Sequence, residues 1–586
     1  MRKTKIICTL GPASSDERTI REMILAGMDV ARFNFSHGSH EEHLARYQIV
    51  DKIRTELSLP IGTLLDTKGP EIRLGTFQNH KVTLTPGSTF TLTAQPVEGD
   101  ESRVSITYGN LCNDVTVGSK ILIDDGLIEL KVLEIVEGDI ICTVINGGEI
   151  SDKKGVNVPG IHLSLPYISQ KDYDDIVFGI ETGFDFIAAS FVSTAEDILE
   201  IRKILEEHNC HTIKIIAKIE NAEGVQNIDD ILRVADGAMV ARGDMGVEIP
   251  LEDVPIYQKI LIKKGYGAGK HVITATQMLE SMIKNPRPTR AEANDIANAI
   301  YDGTSGIMLS GESAAGKYPV ESVRTMARIA ERVERDIDYQ KRFFKVDHYP
   351  EQDVTNAISH ATCTTAYDLG ASAIISITQS GHTARMCSRF RPSMPIIACT
   401  PSETIFRQLS MSWGVHPVIM ELKENTDELF SCAVECAREH GYVKNGDLVV
   451  ITAGVPLGVP GTTNLLKVSV VGDVLVSGQG LNNLTTVGNL CVAKNEQEAL
   501  LNFKQNDILV IAETSNSILG LLKKSSGIIT EASGSGSHAA IVGLTLDIPV
   551  IVGAKNATSI LKSGTSVVID AGKGLVCNAA TFQNHE

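Results

Sequence analysis

Along the chain, short apolar runs alternate with segments whose apolar residues recur at helical spacing. "KIICTLG", "VARFNFS" and "GTLLDTKG" read as strands, with helices predicted near 16–27 and 40–57, the grammar of βαβ units and parallel strands. Pro70 interrupts it. From there to about Leu165 the chain is rich in Thr, Val and Ile and broken by glycine turns ("TPGS", "VEGD", "DDGL", "INGG"), which predicts an inserted antiparallel β-domain. The alternation then resumes with "DFIAASFV", "KIIAKIE", "GAMVARGD", "HVITATQ" and "GIMLSGE". Three strands before the insert and five after it make eight βα units, the count of a (β/α)8 TIM barrel, whose functional end is the C-terminal rim of its strands. From about Gln352 to about Lys467, "AIISIT", "PIIACT", "HPVIM" and "DLVVITAG" predict an open α/β sheet. A segment rich in Gly, Ser, Asn and Val, roughly 474–586, predicts a further small domain.

The rim carries the chemistry. In "IIAKIENAEG" the strand alternation sends Ile216, Lys218 and Glu220 one way and Ile215, Ala217 and Ile219 the other. A Lys–Glu pair at one solvated strand end would be ordinary. The other predicted ends are polar as well: Arg32, Asn34 and Ser36; Asp66, Thr67 and Lys68; Ser190; Arg242 and Asp244; Thr276 and Gln277; Ser310 and Glu312. A whole rim of such residues is expected of an active site.

Glu220 and Asp244 are hard carboxylates on neighbouring strands, a pair suited to Mg2+, or Mn2+ in its place, shared with a phosphorylated substrate. Arg32, Arg73 and Lys218 are the cations that a transferring phosphoryl group requires. Asn34, Ser36, Asp66 and Thr67 offer oxygen ligands with a single carboxylate, a set that fits a monovalent cation. "TQSGHT", Thr378 to Thr383, joins a strand to a helix, and reads either as a phosphate-binding loop or as an ordinary N-cap. "GESAAGKY" nearly matches a nucleotide P-loop, but Tyr318 replaces the Mg2+-binding hydroxyl and Pro319 removes a backbone donor.

Composition narrows the function classes. At 586 residues the chain exceeds what one core supports. A net charge of −18 argues against a general nucleic-acid or anionic-membrane binder. Eleven cysteines are scattered without a CxxC pattern, Cys432 and Cys436 being the closest pair, as expected of reduced thiols. "MRKTKIICTLGPASS" has too short an apolar run for a signal peptide, and no apolar stretch approaches the roughly 18 residues of a membrane span. A cytoplasmic location is expected.

Taken together, "ICTLGPAS", "ARFNFSHGSH", "LLDTKGPEIR", "IIAKIENAEG", "ARGDMGVEIP", "TQMLESMIKNPRPTRAEANDIANAI" and "MLSGES" resemble pyruvate kinase over roughly residues 1–470. The resemblance implies transfer of phosphate from phosphoenolpyruvate to ADP, giving ATP and an enolate that is protonated to pyruvate, the last step of glycolysis. It implies a barrel over 1–69 and 169–341, an inserted β-barrel lid over 70–168 that excludes water, and an α/β effector-binding domain over 342–473. Position by position, it assigns phosphate-handling cations to Arg32, Arg73 and Lys218, divalent-metal ligands to Glu220 and Asp244, and K+ ligands to Asn34, Ser36, Asp66 and Thr67. Glu71 is the residue of K+-dependent members. Substrate contacts fall on Arg32, Lys218, Gly243, Asp244 and Thr276, with Thr276 and Ser310 near the proton-delivery path. Nucleotide contacts fall on Asn34, His37, Arg73 and Lys171. Ala315 stands where the family often has a lysine, leaving Lys317 as a substitute. Thr378, Ser380, Gly381 and Thr383 correspond to the site of a phosphorylated allosteric effector, and a homotetramer is implied.

The last segment, 474–586, is similar to something else. "GSGSHAAIVGLTLDIPVIVG" resembles the phosphohistidine domain of phosphoenolpyruvate-utilising enzymes, with His538 at the phosphorylated position and Gly536 in place of a threonine. Three functions follow as alternatives: an allosteric pyruvate kinase whose tail is structural or regulatory, a phosphotransferase working through phospho-His538, and a metabolite-sensing protein with a dead barrel. The first leads, and the intact Lys218, Glu220 and Asp244 speak against the third.

Overall fold

The structure, a computed structural model, describes residues 1–345, 353–423, 425–455, 463–472 and 474–579. Parts of the expected 342–473 and 474–586 domains, including the boundary at 473, therefore lie outside the described residues. The chain forms two compact units, residues 1–357 with 378–419, and residues 358–377 with 420–586.

In the first unit the eight predicted strands close into a barrel: Lys5–Thr9, Val30–Asn34, Gly62–Asp66, Phe186–Ala189, Lys214–Ile219, Gly237–Ala241, His271–Ala275 and Gly306–Leu309. Every neighbouring pair is parallel, and the first strand closes on the eighth, with Lys5 opposite Gly306. The period of two decides what lies where. Ile7, Leu64, Phe186, Ile216, Met239, Ile273 and Met308 fill the barrel. Their neighbours Ile6, Cys8, Leu65, Ile187, Ile215, Ala217 and Ile307 pack outward against the helices. Side-chain caps fix where helices start: Ser39 accepts from Glu42 N–H, Ser169 from Asp172, and Thr289 from Glu292.

The insert is a seven-stranded sheet running from Ile72–Arg73 to Arg103–Ser105, with a separate ribbon of Lys81–Leu84 and Gly148–Ser151. A bridge between Leu74 and Ile106 joins the two edges around a core that includes Phe77, Phe90 and Leu130. The expectation of a wholly antiparallel insert needs one correction, because Thr89–Thr93 pairs with Arg103–Ser105 in parallel. The chain returns there through residues 94–102 instead of a tight hairpin, and a two-residue turn can join only antiparallel strands.

Residues 342–473 are divided between the units. The first unit holds the helix His382–Arg389 and the parallel strands Ile396–Thr400 and Val415–Ile419. The second holds Ala373–Ile377 parallel to Leu448–Gly454, with Thr463–Val470 antiparallel beyond it. The second unit also contains an eight-stranded sheet whose centre, Thr485–Val492, Ile508–Ile511, Gly527–Thr530 and Val550–Val552, is parallel. Among the described residues no helix is long and apolar enough to cross a membrane.

Candidate active site at the barrel rim

Lys218 is the centre of the rim. It continues the inward row begun by Ile216, so its ammonium emerges where the barrel's apolar filling ends. Its Nζ donates to Ser190 Oγ at 2.6 Å and pairs with Asp66 Oδ1 at 3.1 Å and Glu220 Oε1 at 3.0 Å. The Asp66 and Glu220 side chains are both 1% exposed, so three charges share a nearly dry site. Arg32 completes the group, its Nε donating to Asp66 Oδ2 at 2.6 Å and its Nη1 to Thr9 Oγ1 at 2.7 Å.

Burial and pairing compete at each of these groups. Burial alone would lower the Lys218 ammonium, but the Asp66 and Glu220 carboxylates outweigh it and hold the pKa above the ordinary lysine value. Burial likewise opposes the Asp66 charge, and Arg32 and Lys218 overcome it and lower its pKa. Glu220 goes the other way. Burial first, with the nearby Asp244 carboxylate, pushes it up to about 7 despite Lys218 and the Phe191 N–H that its Oε2 accepts at 2.6 Å.

Three rim residues have a different local setting from the one the pattern predicts. Arg242 and Asp244 do not end a strand, because Gly237–Ala241 stops first and they open the helix Arg242–Glu248. Glu312 is fully buried, accepting from the Leu279 and Ser310 N–H groups at 2.9 and 2.8 Å, so it braces two rim segments and does not face the mouth. Ser310 is the N-cap of Gly311–Ala314. Thr276 lies just past its strand at φ 69, with Gln277 at φ 54, and its Oγ1 accepts the Gly243 N–H at 2.8 Å.

Asn34 and Asp66 are register partners on adjacent strands, and Asn34 Oδ1 accepts from Ser36 N–H at 3.1 Å. Thr67 Oγ1 accepts the Ser190 N–H at 3.1 Å. Lys171 Nζ donates to the Phe35 carbonyl at 2.9 Å and to buried Asp175 at 2.6 Å, while His43 Nε2 lies 2.8 Å from the His37 carbonyl. Arg73 belongs to the insert and pairs with Glu71 at 2.7 Å and the Lys153 carbonyl, not with the Lys218 cluster. Asp125 was not predicted as a site residue. It sits in the "DDGL" turn with φ 54, and burial and the neighbouring Asp244 raise its pKa. The two adjacent acids before a glycine were the available signal, and on pattern alone they indicate only a turn. Across the same boundary, Asn157 Nδ2 of the insert donates to Glu248 at 2.8 Å.

The family described as pyruvate kinase, barrel domain, matches residues 1–323, and its alpha/beta domain matches residues 356–469. The chain belongs to the pyruvate kinase family. It is 51% identical over 578 residues to pyruvate kinase of Bacillus licheniformis, covering 98% of this chain and 99% of that one. It is 50% identical over 577 residues to that of Geobacillus stearothermophilus, covering 98% of each. A crystal structure of a pyruvate kinase from Cryptosporidium parvum superposes with a TM-score of 0.76 at 40% identity, covering 80% of this chain and 96% of that one. The third match, to the mobile domain of PEP-utilising enzymes, spans residues 503–574. The chain is thus a pyruvate kinase, a transferase, carrying an additional mobile-domain relative at its C-terminal end.

Elsewhere in this pyruvate kinase, the near P-loop forms no cradle: Gly311–Ala314 is a single helical turn and Lys317 N–H donates to the Ile283 carbonyl. Gly381, at φ 74, is the N-cap of His382–Arg389, and Arg385 Nη1 donates to the Ser380 carbonyl at 3.1 Å. Thr378 and Thr383 are buried beside it. His538 opens the helix His538–Leu546, with Nδ1 at 2.9 Å from Thr514 Oγ1 and Nε2 at 3.0 Å from Asn516 Oδ1.

Proposed function

We propose that Lys218, Arg32 and Arg73 bind and stabilise the phosphoryl group as it passes from phosphoenolpyruvate to ADP, with Thr276 and Ser310 serving the protonation that follows. The observation that carries this reading is Lys218 itself, a buried ammonium aimed at the rim and held by Asp66, Glu220 and Ser190. Such a fixed cation stabilises charge that develops in the transition state without reorganising, and electrostatic stabilisation of this kind usually contributes most to phosphoryl transfer. Arg32 is pinned on two sides, so its position is set before substrate arrives. Gly243 and Thr276 bound the place where the substrate carboxylate would sit. Asn34, His37, Arg73 and Lys171 would contact the nucleotide.

The donor set fits a divalent metal. Glu220 is held near neutrality by burial and Asp244, a repulsion that a cation between them removes. Two hard carboxylates suit Mg2+ or Mn2+ completed by substrate oxygens and water. Bound there, the metal would neutralise phosphate charge and orient substrate. Asn34, Ser36, Asp66 and Thr67 would hold K+. Turnover that requires Mg2+ and rises with K+, assayed as pyruvate formation, tests both assignments; full activity in a chelator without K+ would refute them.

Regulation is assigned to Thr378, Ser380, Gly381 and Thr383, where a phosphorylated effector would meet hydroxyls and a helix start that has no side-chain cap. Calorimetric titration with a sugar phosphate tests it. We assign the last domain a structural or regulatory role, because both His538 ring nitrogens are engaged, whereas a phosphate carrier needs one free. Acid-labile phosphate trapped on the protein and lost in His538→Ala would reverse that assignment. A cytoplasmic setting is supported by eleven cysteines scattered without a CxxC pattern. A homotetramer is supported by the exposed Leu251, Ile256 and Ile260 near and along one helix, and light scattering tests it.

A further inference from the structure

Thr276 and Gln277 both occupy the left-handed region, at φ 69 and 54. A β-branched residue enters that region only against steric cost, so something must hold Thr276 there. The holder is Arg242. Its Nε donates to the Ala275 carbonyl at 3.1 Å and its Nη2 to the Thr276 carbonyl at 2.7 Å, so one guanidinium clamps two consecutive carbonyls. The guanidinium is braced in turn, Nη1 donating to Asp295 Oδ1 at 2.6 Å and to Gln258 Oε1 at 3.3 Å. The next residue, Gly243, donates its N–H to Thr276 Oγ1 at 2.8 Å, and that hydroxyl donates to the Ala275 carbonyl at 2.6 Å. Nε and Nη2 of Arg242 are thus engaged by the clamp and Nη1 by its brace, the arrangement of a positioning group more than of a substrate-binding cation. It ties the segment bearing Asp244 to the segment bearing Thr276.

We propose that Arg242, braced by Asp295 and Gln258, is a positioning residue that holds Thr276 in its left-handed conformation and so sets its hydroxyl for protonation of the enolate. In that step C3 of the enolate takes a proton originating in solvent water. The C2–C3 π pair becomes the new C–H bond, and the C2–O bond closes to the ketone of pyruvate. The proposal rests on the reading that Thr276 serves this protonation and adds the device that orients it.

The test separates the two half-reactions on the full-length enzyme. Phosphoryl transfer is read as ATP formed from phosphoenolpyruvate and ADP in a single turnover by rapid quench. Proton transfer is read as exchange of pyruvate methyl protons in D2O with Mg2+, K+ and ATP, by proton NMR. Arg242→Met is expected to keep ATP formation within about threefold and to slow exchange by about tenfold or more, a share of the 10²–10⁴ that positioned proton transfer supplies. Asp295→Asn should shift the same ratio in the same direction, and Arg242→Met should add nothing in a Thr276→Val background. Equal slowing of both half-reactions, or of neither, overturns the proposal. If Thr276→Val slows exchange and Arg242→Met does not, the proposal fails while the reading of Thr276 stands. If Thr276→Val leaves exchange untouched, that reading fails, and the proposal with it. Should Arg242→Met not fold, Asp295→Asn decides by the same ratio.

Discussion

Replacing Lys218 by Met removes the one group that binds Asp66, Glu220 and Ser190 at once, and keeps most of the side chain's volume. Among the four paired rim charges, Arg32 and Lys218 balance Asp66 and Glu220, so the substitution leaves a net negative rim facing an anionic substrate. A unit charge about 4 Å from the transferring group is worth about 4 kcal/mol at the effective dielectric of 20 appropriate to such sites. Losing a preorganised stabiliser of this kind costs about 2.7–4 kcal/mol, or on the order of 10²–10³ in kcat. The assay is initial-rate pyruvate formation at saturating phosphoenolpyruvate, ADP, Mg2+ and K+. Because the interaction is made chiefly in the transition state, kcat and kcat/KM should fall together with KM changing little. The same variant leaves buried Glu220 without its cation and Asp66 with Arg32 alone, and breaking a buried pair typically costs about 3–5 kcal/mol of stability, so circular dichroism at the assay temperature must first show a folded enzyme. A folded variant that keeps kcat within about tenfold of wild type, or loses affinity alone, refutes the reasoning.

Glu220→Gln should raise the Mg2+ concentration for half-maximal activity by on the order of tenfold or more, measured by Mg2+ titration, since one of the two anionic donors is lost. In Gly381→Ala the new Cβ would lie 2.9 Å from Arg385 Nη1 at a backbone φ of 74. Sugar-phosphate affinity by calorimetry should therefore fall by on the order of tenfold, the helix start being displaced. His271, buried at the foot of the barrel, is held neutral, its pKa lowered to about 3 by burial and by the nearby Arg385, Arg391 and Lys270 against Asp236. Its folded pKa lies below the unfolded value of about 6.5, so the unfolded state binds more protons. That contribution is complete above about 6.5 and lost toward 3, at up to about 1.4 kcal/mol per pH unit. Urea unfolding midpoints should fall less steeply in His271→Gln than in wild type between about pH 7 and 5; parallel slopes would refute this.

By itself the sequence determined the eight barrel strands, the inward and outward alternation along them and most of the polar groups at the rim, because strand alternation and strand ends are local properties. Ile216 inside the barrel and Lys218 above it follow from a period of two and nothing more. The long motifs carried the family, since their order along the chain survives without knowledge of any contact. Tertiary structure alone decided who meets whom: Lys218 with Asp66 and Ser190, Arg242 with Asp295 and the Thr276 carbonyl. It also decided the parallel pair in the insert, the burial of Glu312, and the engagement of both His538 nitrogens. Such partners are brought together by barrel closure and loop paths. A charge's pKa depends on those neighbours and on the water they exclude, which no periodicity encodes.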